Sequence, residues 1–204
     1  MTRRALRFAL ATSLGQASAA LVTIPLSILA SELGADGGEG VATALAVVMV
    51  VVGVLEGVIT GAAQSFVLRD RVEPSRYIAR TAGGFGLGWT VGAASSFVEA
   101  EGLSRPLFVL GMALVQGLLL GAIVGMLVAT ELAPDRPSRV RVVAGLAVGW
   151  GAGLVVAALA TALASSGQAL VEVGLGVLRG AVVGLVAGAI AGPFVTSALD
   201  PSEG

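Results

Sequence analysis

The sequence predicts an all-α membrane protein: six transmembrane helices as three pseudo-repeated helical hairpins, with both termini cytoplasmic. Three observations lead there. Of the 204 residues, 56% are hydrophobic and only 12% are charged, against about 25% charged in a soluble domain. The charges cluster in short stretches between long apolar runs, as expected when lipid is the solvent. Two patterns of glycine spacing then recur along the chain, which marks internal repetition.

A spanning helix needs about 20 mostly apolar residues. Segments of that kind lie at 6–30, 41–68, 79–98, 107–130, 140–165 and 169–198. The first includes Ala17-Ser18-Ala19, which resembles a signal-peptide cleavage site. Its apolar run continues past that point to Leu29, so it is read as a span and not a short leader. Pro25 is expected to bend this helix. Pro106 follows Ser104 where a first helical turn tolerates proline.

Orientation follows from the arginines near span ends. Arg3, Arg4 and Arg7 precede the first span, Arg69 to Arg80 join the second to the third, and Glu131 to Arg141 join the fourth to the fifth. Ten of the twelve arginines thus fall on one side, read as cytoplasmic. The other side has Arg105 with Glu32, Asp36, Glu39, Glu99 and Glu101, and closes its last connection at Ser165-Ser166-Gly167. The expected location is a membrane, with this arginine-bearing side toward the cytoplasm.

The odd segments share one frame. The third reads Arg80-x3-Gly84-x3-Gly88-Trp89-x2-Gly92 and the fifth Arg141-x3-Gly145-x3-Gly149-Trp150-x2-Gly153. The first is a weaker copy, Arg7-x3-Ala11-x3-Gly15-Gln16-x2-Ala19. The even segments share another: Glu56-Gly57-x3-Gly61, then Gln116-Gly117-x3-Gly121-x3-Gly125, then Arg179-Gly180-x3-Gly184-x3-Gly188-x3-Gly192. The chain is accordingly one transmembrane domain, 1–204, of hairpin units 1–68, 70–130 and 136–198. Small residues four apart let membrane helices approach closely. The glycine clusters lack the preceding strand and the lysine of nucleotide loops.

Glu56, Gln116, Arg179 and Gln16 fall at similar depths and are expected to form a midplane polar layer with Trp89 and Trp150. These six residues are the candidate site for a small solute or ion. A charge inside the membrane costs at least about 2.5–3.5 kcal/mol and needs a partner. Glu56 with Arg179 is one pairing, and Glu172, two turns before Arg179, competes for it. Either a structural ion pair or a functional site is consistent with that pattern. Thr12, Ser13, Thr60 and Gln64 are expected to hydrogen-bond between helices.

Gly57-x3-Gly61-x2-Gln64-x3-Leu68-Arg69, followed by Gly88-Trp89, resembles a pattern in uncharacterised bacterial Gly-rich multi-pass membrane proteins, which repeat GxxxGxxQ…LR and GW segments. The resemblance covers the second and third segments and implies a six-helix membrane fold without a known activity. In size, the chain is also similar to the substrate-capture subunits of vitamin transporters.

The chain has no histidine, cysteine or lysine. That excludes the common zinc ligand sets, thiol nucleophiles and histidine acid–base catalysis. The expectation is a non-enzyme without cofactor or metal that binds or translocates a solute. The alternative is a non-catalytic structural or assembly subunit of a membrane complex. Expected partners are the lipid bilayer and either another membrane protein or further copies of the chain, not nucleic acid.

Overall fold

A computed structural model of the protein describes residues 1–34, 39–95, 105–163 and 168–199. Six helices account for nearly all of them: α1 Arg3–Gly34, α2 Glu39–Leu68, α3 Pro74–Ser95, α4 Arg105–Leu132, α5 Arg136–Leu163 and α6 Ala169–Leu199. Among the described residues there is no strand. Five helices are long and apolar enough to cross a membrane, which is the composition of a polytopic membrane protein. The sixth, α3, falls short over its described residues. It carries Arg76 and Arg80, and its branched aliphatic side chains are few: Ile78, Leu87 and Val91. The end of its expected span, 96–98, lies outside the described residues, as do Asp36, Glu99, Glu101 and the turn 165–167.

Helix starts explain two differences from the sequence reading. Arg76, expected in a connection, stands on α3 with Arg80. Glu73 accepts a hydrogen bond from the Arg76 backbone N–H at 3.2 Å and caps the helix, and Pro74 occupies its first position. Asp135 caps α5 in the same way, accepting from the Ser138 N–H at 2.8 Å, so Arg136, Arg139 and Arg141 are helical. α1 continues through Pro25, and Pro106 does stand in the first turn of α4.

Each helix packs on its neighbours in the chain, and α6 returns to pack on α1. The six form a closed ring in which, among the described residues, α2 and α6 do not touch. Glycines set the spacing. A methyl group on Gly57 of α2 would lie 2.6 Å from the Ala82 Cα of α3. On Gly184 of α6 it would lie 2.5 Å from the Thr12 carbonyl oxygen of α1. Gly121 of α4 presses equally on the Leu146 carbonyl of α5. The even-helix glycines therefore face the next helix along the ring, across the boundaries of the expected units. Most odd-helix glycines face the helix that follows within a unit, as Gly84 meets Val124 and Gly149 meets Ala187, while Gly86 and Gly151 face back to Val54 and Leu118. Neighbouring helices run antiparallel, since Gly180, Gly184, Gly188 and Gly192 meet Gln16, Thr12, Ala9 and Ala5 in that order.

Both ends of the described chain consequently lie at one end of the ring, with the 69–73 and 133–135 connections. Arginines tie that end together. The Arg71 Nη1 donates to the Leu199 carbonyl at 3.4 Å, and Arg139 Nε donates to the Ala133 carbonyl at 3.0 Å. Arg80 pairs with Glu131 at 3.0 Å and also donates to the Leu127 carbonyl and to Thr130. Cations beside the last carbonyls of α4 and α6 suit those helix ends. Inside the ring, the Phe85 and Trp150 rings meet edge to face, centroids 5.0 Å apart.

Candidate functional site

α2 places Glu56, Thr60 and Gln64 four residues apart, so they stack on one helix face. All three are buried. Gly57 and Gly61, one position on, turn a second face to α3 and bring that helix within reach. From α1, antiparallel to α2, come Gln16 and Thr12, also four apart.

The result is a column of hydrogen-bonded side chains between α1, α2 and α3. At its deep end the Trp89 indole Nε1 donates to Glu56 Oε2 at 2.7 Å. The Gln16 side chain stands beside the Glu56 carboxyl group. Gln16 Nε2 donates to Thr60 Oγ1 at 2.9 Å. One turn further, Gln64 Nε2 donates to Thr12 Oγ1 at 3.0 Å, and Tyr77 OH donates to Gln64 Oε1 at 3.0 Å. Thr12 Oγ1 in turn donates to the Phe8 carbonyl at 2.9 Å. At about 1.5 Å per residue, Glu56 lies about 18 Å from the end of α2 and Gln64 about 6 Å. The column thus runs from near the arginine-bearing end past the middle of a hydrocarbon core about 30 Å thick.

Of the six residues the sequence singles out, three meet here: Gln16, Glu56 and Trp89. The other three do not join them. Arg179 pairs with Glu172 at 3.7 Å, two turns away on its own helix. Of the two pairings the sequence left open, the ring permits this one, because α6 is not a neighbour of α2. Gln116 is half-buried on α4, one turn beyond Leu120, which packs on Gly88 of α3. Trp150 is buried against Phe85. A single layer of Glu56, Gln116 and Arg179 side chains is therefore not what the ring builds.

Tyr77 is the member that sequence reasoning missed. Tyr77 is the chain's only tyrosine and stands one turn past the start of α3. The position reads as interfacial, yet its side chain turns inward to Gln64. The four-residue spacing of Glu56, Thr60 and Gln64 is the signal that could have revealed the column. Among the described residues Glu56 makes no ion pair, and its Oε2 accepts from a neutral indole N–H. Such a site can hold a carboxyl group in place while leaving it free to exchange a cation.

No family model matches this chain, and neither a curated protein nor a solved structure matches it.

Proposed function

We propose that the chain is a non-enzymatic protein of a bacterial cytoplasmic membrane, with the arginine-bearing end cytoplasmic, that binds a small cation at Glu56, the proton included. One observation carries this reading: a carboxyl group deep in an apolar bundle is held by the Trp89 indole and, among the described residues, by no arginine. Ionisable groups inside a membrane are costly and commonly mark ion or proton pathways. The hydroxyl and amide groups from Thr60 to Tyr77 supply a polar route toward the arginine end. Phe85 and Trp150 occupy the interior of the ring, so the route lies along the column and not down the axis. The recurrent glycine contacts support three parallel two-helix units, and such units do not form the inverted repeats of alternating-access transporters.

The test is purified protein in proteoliposomes containing a pH-sensitive dye, with a potassium diffusion potential applied. Wild-type protein should pass protons, or should show a tryptophan emission change on adding sodium or potassium. Glu56→Gln should abolish the response while keeping the thermal transition. A wild-type protein silent to pH, sodium and potassium overturns the proposal.

A second reading is favoured by the packed interior: a non-catalytic subunit that assembles with another membrane protein. Stoichiometric recovery of one such protein in mild detergent, with no cation response, selects it.

A further inference from the structure

A groove of about 570 Å³ opens between α1 and α2 at the arginine-bearing end. Its mouth carries Arg7 and Arg69, and its walls descend along Leu10, Leu14 and Phe66. All five are exposed. From Arg7 to Leu14 the groove runs about 10 Å down the helix, toward the expected bilayer core. Beside it lies a second cavity of about 600 Å³ that shares Arg7 and Asp70 and adds Arg3 and Arg4. Arg3, Arg7 and Arg69 thus line the two cavities around one aspartate. Asp70 lies 3.9 Å from Arg69, with both side chains mostly in solvent, so it offsets only part of that charge. Arg3 and Arg7 make no ion pair among the described residues.

We propose that this groove is a binding site for one anionic phospholipid. Its phosphate sits between Arg7 and Arg69, and one acyl chain follows Leu10, Leu14 and Phe66. The amphipathic order decides the occupant: guanidinium groups at the depth of headgroups, then an apolar slot leading inward. A free phosphate would use the arginines and leave the slot empty. Arginine binds phosphate through paired N–H donors, and basic pockets between membrane helices on the cytoplasmic side suit anionic headgroups. The site is separate from Glu56 and stands whether or not the cation proposal does.

Native mass spectrometry of the full chain in mild detergent, titrated with dioleoylphosphatidylglycerol, tests this. One lipid should bind per chain, and dioleoylphosphatidylcholine should bind more weakly. Each surface arginine contributes roughly fivefold, so Arg7→Gln with Arg69→Gln should weaken binding about 25-fold. Eight arginines remain at that end to keep the orientation. Ala63→Trp leaves every arginine in place but fills the slot, and should lose the lipid as well; it serves if the charge variant does not fold. Unchanged affinity in either folded variant, equal binding of phosphatidylcholine, or displacement of the lipid by millimolar inorganic phosphate overturns the proposal.

Discussion

The Trp89 indole nitrogen and the Glu56 carboxyl group meet at 2.7 Å, linking α3 to α2 deep in the ring. Trp89→Phe keeps an aromatic ring and removes the donor. Hydrogen bonds between membrane helices contribute about 0.6 kcal/mol on average and up to about 1.7. The upper half of that range is expected here, because the acceptor is a carboxyl group. Reversible unfolding in mixed detergent measures it. A loss below about 0.3 kcal/mol would mean that the bond does not hold the site.

Glycine at the helix contacts is a second point of test. An alanine at Gly57 would place its Cβ 2.6 Å from Ala82 Cα, so α2 and α3 must separate. Overpacking of this kind costs about 1–3 kcal/mol. Gly111, on an exposed part of α4, has nothing within 4 Å of the same added atom. Gly57→Ala should lower the thermal transition clearly and Gly111→Ala should not. Equal effects would show that helix spacing is not set by these contacts.

The choice of partner for Arg179 is tested by two double-mutant cycles. Glu172→Gln with Arg179→Gln should show coupling of about 0.5 kcal/mol or more, as residues in contact do. Glu56→Gln with Arg179→Gln should be additive within about 0.5 kcal/mol. The reverse pattern would restore the cross-ring pair.

Acid should act on the arginine-bearing end through the caps. The Ser138 N–H bond holds the Asp135 carboxyl group below its ordinary value of 3.8, and the Ser138 hydroxyl adds to it. A pKa lowered by folding stabilises the protein above the unfolded value, and the benefit disappears as pH falls through the folded value. Asp135→Ala should therefore unfold at lower temperature than wild type above pH 3.8, and the difference should close below it. Glu73, lowered first by its bond from the Ser75 hydroxyl, should behave likewise at α3. A gap that persists unchanged in acid would assign the caps to shape and not charge.

The helices, the arginine-bearing end and the glycine spacing were legible because each depends on local composition. Partner choice was not. The spacing of Gly57 and Gly61 specifies a face, but only ring closure decides which helix meets that face. Glu56 and Arg179 attract each other on paper, yet α2 and α6 stand apart, and a neutral indole on the adjacent α3 takes the carboxyl group. Trp89 and Trp150 share one sequence frame and diverge for the same reason: one meets an acid and the other an aromatic ring. Tyr77 escaped notice because depth along a helix says nothing about direction around it.

Ring closure has a consequence for the order of assembly. Of the six helices α1 is made before the others, yet its extended glycine-lined seat is on α6, made after the other five, and the Ser13 hydroxyl donates to the Ala181 carbonyl 168 residues away at 2.7 Å. During synthesis α1 and α2 can already join Gln16 to Thr60 and Gln64 to Thr12. The opposite flank of α1 must wait in lipid until the ribosome has delivered every other helix. A chain halted before α6 would hold the carboxyl group and its column but present Ser13 to the bilayer, which marks it as unfinished for any quality-control machinery that senses exposed polar groups.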